Sequence, residues 1–170
     1  MVNSFHIRII IKTILCAFLF CCTPKEQKKN EKKEMFLPKD LNIINVKNSV
    51  PFDTNWYNYE NKVVVFIKKA GPYSTLNLDW QSAISKFPDI AFLFYISEPD
   101  SSKLINHLKE VDFQHPVIHD YNFEFRNKNI RDKELTFISF LVKNNMIIEK
   151  GNPSIPNFHD RLFELMNNHK

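Results

Sequence analysis

Residues 61–67 read "NKVVVFI", and from Val63 to Ile67 the run is apolar without a break. The run is short for a helix and lacks the in–out alternation of a half-exposed strand. Its β-branched Val residues fit a central strand covered on both faces. A second run of the same kind, "DIAFLFYIS" at 89–97, follows one helix-length segment later. Between them, "STLNLDWQSAISKF" sets Leu76, Trp80, Ala83 or Ile84, and Phe87 at helical spacing, with Ser74 placed to cap the start. Strand, helix and strand in that order imply two parallel strands joined by a crossover.

The remaining chain extends the pattern. "LNIINV" at 41–46 reads as a short strand ahead of the first run, and "HPVIHD" as one after the second. Asp100 or Ser101 caps a helix with Leu104, Ile105, Leu108 and Val111 on one face. "YNFEFRNKNIRDKE" is polar and irregular, with room for a short helix. "TFISFLV" at 136–142 and "MIIEK" at 146–150 flank Lys143-Asn144-Asn145, and Asn tolerates the positive φ of a tight hairpin turn. The last segment predicts a helix with Phe158, Leu162, Phe163 and Met166 inward. The expected fold is α/β, a central mixed sheet with helices on both faces. A composition that is 44% hydrophobic and 14% aromatic can fill such a core.

The first 35 residues read differently. Arg8 and Lys12 precede the apolar stretch "TILCAFLF", the layout of a secretory signal. Leu19-Phe20-Cys21-Cys22 resembles the lipobox of a bacterial lipoprotein, with Cys22 as the lipidated residue and Cys21 as the alternative. Using Cys21 would place bulky Phe20 where a small residue belongs. Residues 24–34, "PKEQKKNEKKE", cannot bury enough apolar surface to offset their ordering entropy. The expected organisation is a signal at 1–22, a charged tether at 23–35 and a folded domain at 36–170. A net charge of +4 belongs with such a tether and does not point to nucleic acid.

From about Asn61 to Asn168 the chain resembles thioredoxin-like proteins, closest to the TlpA-like and redoxin-type lipoproteins of Gram-negative bacteria. "VVVFIKKAGPYS" resembles the family's strand and active-site loop, "FLFYIS" the next strand, and "FLVKNNMIIEKGN" the terminal hairpin. In the Cys-Gly-Pro-Cys loop of that family, Gly71 and Pro72 match, while Ala70 and Tyr73 stand where the two thiols would be. An alternative register, with Gly71 and Ser74 at those positions, also supplies no thiol. The family's cis-proline would fall near Phe137, and no proline lies between Pro116 and Pro153. All three cysteines lie at or before residue 22. The resemblance therefore implies a degenerate redox loop, since thiol–disulfide exchange needs an attacking thiolate.

His119-Asp120 and His159-Asp160 are adjacent pairs, with His107 and His115 nearby, and surface histidines near element ends are the expectation. Ser74 lacks a Gly-x-Ser-x-Gly elbow, and glycines at 71 and 151 alone leave no Gly-rich phosphate loop. No metal site and no cofactor are expected. "PFDTNWYNYENK" at 51–62 is either a contact surface or a loop packed on the sheet edge, the latter being preferred.

The expected function is a redox-inactive domain of the bacterial cell envelope, held to inner or outer membrane by its lipid. It would bind a protein or peptide in the groove between the Ala70–Tyr73 loop and Phe137. Two alternatives stand beside it: a non-redox enzyme using histidines or Tyr73, and a structural envelope lipoprotein.

Overall fold

The computed structural model describes residues 33–167. The signal, Cys22 and the tether up to residue 32 lie outside the described residues. Six strands form one sheet: β1 (Asn42–Ile44), β2 (Asn61–Ile67), β3 (Ala91–Ile96), β4 (Val117–His119), β5 (Phe137–Lys143) and β6 (Met146–Lys150), in the order β1-β4-β3-β2-β5-β6. Four α-helices accompany them among the described residues: α1 (Trp80–Lys86), α2 (Ser101–Glu110), α3 (Glu124–Asn129) and α4 (Phe158–Asn167). β2, β3 and β4 run parallel; β5 pairs antiparallel with β2, and β6 with β5. No helix among the described residues is long and apolar enough to cross a membrane.

Both faces of the sheet are covered, which is why β2 carries apolar residues without alternation. On one face Val63, Val65 and Ile67 join Trp80 and Ala83 of α1, Leu104 and Leu108 of α2, and Phe158, Leu162 and Leu165 of α4. On the other, Val64 and Phe66 join Tyr57, Phe125 of α3 and Met35. Phe52, just before the 3-10 turn at Thr54–Asn58, and Trp56 within it pack against this second cluster, so the aromatic segment lies largely against the sheet as preferred.

Three local expectations are corrected. No α-helix follows the Gly71-Pro72 loop directly: a 3-10 turn at Thr75–Asn77 intervenes, and Asp79 caps α1 by accepting from Ser82 N at 3.1 Å. Ser, Thr, Asn and Asp in "STLNLD" offer the backbone side-chain bonds that compete with a helix. In α4, Phe163 is 60% exposed and Leu165 takes the inward place. Lys33, Glu34 and Met35, expected in the tether, run beside the hairpin: Met35 N donates to the Asn145 carbonyl at 2.7 Å and Glu34 bridges Met146. They cover the backbone edge of β6, and Met35 is buried.

Candidate functional site

At the C-terminal end of β2 the chain leaves the sheet and opens a cleft of about 390 Å³. Its lining includes Lys69, Ala70, Gly71, Pro72, Tyr73 and Phe137. The structure thus brings the loop residues singled out in the sequence against the start of β5. Two links fix that arrangement. Phe137 stands opposite Ile67 in register, and Lys68 N donates to the Thr136 carbonyl at 2.8 Å, carrying the pairing one step past the strands. Ser74 N donates to the Gly71 carbonyl at 2.8 Å, and Asn77 Nδ2 to that of Pro72 at 3.1 Å, closing the loop as a turn.

The loop residues face different ways. Ala70 is buried in the first core cluster, while Tyr73 is fully exposed at 100%. Gly71 has no positive φ, and a Cβ built on it would meet nothing within 4 Å. Neither backbone strain nor packing therefore requires glycine there; its effect is to leave the backbone open to the cleft. Lys68 and Lys69 put positive charge at the rim, and Lys68 Nζ donates to the Lys133 carbonyl at 3.1 Å. Among the described residues no cysteine lines this cleft.

Ser74 was expected to cap a helix. It does occupy the N-cap position of the 3-10 turn, but its side chain makes no cap bond. Instead its Oγ lies 3.0 Å from His107 Nε2, and His107 Nδ1 lies 3.4 Å from Glu110 Oε2. A hydroxyl, an imidazole and a carboxylate are thereby connected beside the cleft. Ser74 and His107 are 33 residues apart, so nothing local in the sequence announces the pair.

The histidines also depart from expectation. His107, His115 and His119 are buried, and His159 is partly so. His115 and His119 stand at His-x3-His spacing, which the expectation of no metal site passed over. Along extended chain four residues span about 13 Å, too far for one ion. Their Nε2 atoms instead meet separate carbonyls, Phe92 at 2.9 Å and Glu98 at 2.7 Å. Among the described residues no three His, Cys, Asp or Glu side chains group to hold a metal. Asp120 is fully buried and accepts from Ser97 Oγ at 3.0 Å and Glu124 N at 2.7 Å. Burial pushes its carboxyl pKa up, opposed by those bonds. It braces α3 against the end of β4.

No protein-family model and no curated protein matches the chain. Solved structures do resemble it. A thioredoxin-like protein solved in solution in its oxidised form aligns over 79% of this chain and 95% of its own, with TM-score 0.55 and 11% identity. The reduced 2-Cys peroxiredoxin of Plasmodium vivax aligns over 79% and 93%, with TM-score 0.54 and 11% identity. A Cys-to-Ser mutant of PrxQ from Xylella fastidiosa aligns over 79% and 94%, with TM-score 0.54 and 16% identity. The chain has a thioredoxin-like α/β fold.

Proposed function

We propose that this chain is a membrane-tethered, redox-inactive thioredoxin-like domain of the bacterial cell envelope that binds a protein or peptide segment. The observation carrying this reading is the cleft of about 390 Å³ between the Ala70–Tyr73 loop and Phe137, formed in a chain with no cysteine after Cys22. An apolar floor, an open backbone at Gly71 and an exposed Tyr73 suit contact with polypeptide, and Tyr is favoured in such contacts. Thiol–disulfide exchange has no attacking sulfur here. Phe137 takes the place of the family's cis-proline in this reading.

The described chain enters beside Asn145 and Met146, next to the N-terminal end of β2, and the cleft lies at the other end. Seven residues of strand separate the two by about 20 Å.

The test is capture from envelope extracts with the full-length chain and with Tyr73→Ala and Phe137→Ala variants. A discrete partner held by the parent and lost with both folded variants is expected. A partner held equally by all three would place binding elsewhere.

A second reading has its own observation, the Ser74–His107–Glu110 contact. It supports a non-redox enzyme in which His107 draws the Ser74 proton and Glu110 steadies the imidazole. A fluorophosphonate probe would then label the chain and fail on Ser74→Ala. An unlabelled parent chain removes this reading.

A further inference from the structure

The cleft at the Ala70–Tyr73 loop has a sign as well as a shape. Its lining holds Lys68 and Lys69 and no carboxylate. Lys69 is exposed and makes no hydrogen bond or ion pair among the described residues. Lys68 Nζ donates to the Lys133 carbonyl at 3.1 Å, and the Arg126 guanidinium donates to the same oxygen. One carbonyl thus gathers two cationic side chains on the backbone of a third cationic residue, next to Lys69.

Among the described residues no ion pair includes Lys68, Lys69, Arg126 or Lys133. The acidic groups nearby do not balance them. Asp132 Oδ1 accepts from Glu134 N at 2.9 Å within its own turn. Glu134, exposed on the same segment, is matched by exposed Arg131. Glu110 reaches the lining only through His107 and Ser74. Clustered cations repel one another, and water and salt screen that repulsion only in part. A carboxylate seated beside them lowers it. Beside the charge, Ala70, Pro72, Tyr73 and Phe137 offer apolar surface. The chain's own upstream stretch does not match this rim. Residues 24–32, "PKEQKKNEK", carry four lysines against two glutamates, the same sign as the cleft.

We propose that the cleft selects an acidic partner: a segment of another protein that sets an apolar side chain against Pro72 and Phe137 and Asp or Glu residues against Lys68 and Lys69. This rests on the reading of the cleft as a polypeptide-binding groove and adds to it the sign of the partner. Complementary charge at a rim acts on selectivity and encounter rate more than on affinity. A basic segment of the same shape meets like charges and is rejected. An anionic membrane shares the charge, but a concave cleft suits an inserted side chain better than a flat surface.

Selection of a random peptide library, displayed on phage, against the full-length chain tests it. Peptides retained by the parent and lost with folded Phe137→Ala should be rich in Asp and Glu and poor in Lys and Arg. A synthetic peptide from that set should bind about tenfold more weakly to Lys69→Glu, as attraction at one rim position turns to repulsion. That substitution removes no contact that the fold uses. Added salt should weaken binding to the parent. Changing the peptide's acidic residues to Lys should abolish binding to the parent and restore part of it to Lys69→Glu. Peptides that depend on Phe137 but show no acidic bias, or an affinity unchanged in Lys69→Glu, overturn this inference and leave the groove reading standing. No peptide that depends on Phe137 overturns both. Capture by phosphatidylglycerol vesicles in preference to phosphatidylcholine vesicles, lost in Lys69→Glu and seen without any such peptide, overturns it in favour of an anionic membrane.

Discussion

His115 shows how far a single side chain can depart from what its letter suggests. Its ring stacks on Trp56 with centroids 4.8 Å apart and meets Phe94 at 5.6 Å. Nε2 donates to the Phe92 carbonyl at 2.9 Å, while Nδ1 is buried without a partner. Protonating Nδ1 would bury an unpaired N–H and a charge together. Burial therefore pulls the pKa down to about 4, against a partial restoring effect of the bond to Phe92. The unfolded chain binds the proton near the ordinary value of 6.5. Between those values it holds more protons than the folded chain, so stability falls as pH falls. Full stability from this group holds above about pH 6.5, and the loss levels off below about pH 4. Urea unfolding at pH 7.5 and 5.0 should show about 2 kcal/mol lost in the parent through this group. Most of that pH dependence should disappear in His115→Gln. A parent whose stability does not fall between these pH values would mean that His115 is not held neutral. Asp120, raised by burial, acts in the opposite direction, from its ordinary value of 3.8 upward. None of this was legible in "QHPVIHD", because burial of a histidine is decided by the residues that come to cover it. Trp56 lies 59 positions upstream. Lys62 did carry a signal: it stands two positions before Val64 on the strand's second face, where a lysine interrupts an apolar series.

At the scale of elements, hydrophobic pattern and turn chemistry were readable where they acted alone. β2 runs over the residues of the "NKVVVFI" stretch. The hairpin turn also follows its letters: Asn144 and Asn145 have φ of 50° and 62°, the positive values that Asn tolerates. Asn144→Val should cost about 1–2 kcal/mol, since a branched Cβ clashes in that region. Asn144→Gly should stay within about 0.5 kcal/mol of the parent. Denaturant midpoints measure both, and equal costs would show that the turn is not held by its φ values. Where two signals competed, the reading failed. Periodicity over 74–87 favoured one helix, but polar side chains broke it into a 3-10 turn and a seven-residue α1. In α4 the face set by Phe158, Leu162 and Leu165 differs from the expected one by a small rotation, and only packing on the sheet decides it. Ser74 and His107 meet because the loop after β2 and α2 converge at one end of the sheet, a juxtaposition no local window contains.

The described domain opens a cleft at the Ala70–Tyr73 loop, at the C-terminal end of β2, while the chain at Glu34 and Met35 runs beside the hairpin near the other end of that strand. That separation leaves the cleft clear of the chain at Glu34 and Met35. Fold and polarity both follow from strand order, which the alternation of apolar runs and helical segments made legible. The cleft's contents did not follow from it, because the loop retains Gly71-Pro72 while the positions on either side carry no thiol. The most direct measurement is photo-crosslinking in intact cells from a reactive side chain installed at Tyr73, compared with one at exposed Lys109 on α2. The account predicts a discrete protein adduct from position 73, absent from position 109 and lost when Phe137→Ala is added. Adducts of equal yield and identity from both positions, or none from position 73 in a folded, membrane-bound chain, would contradict it.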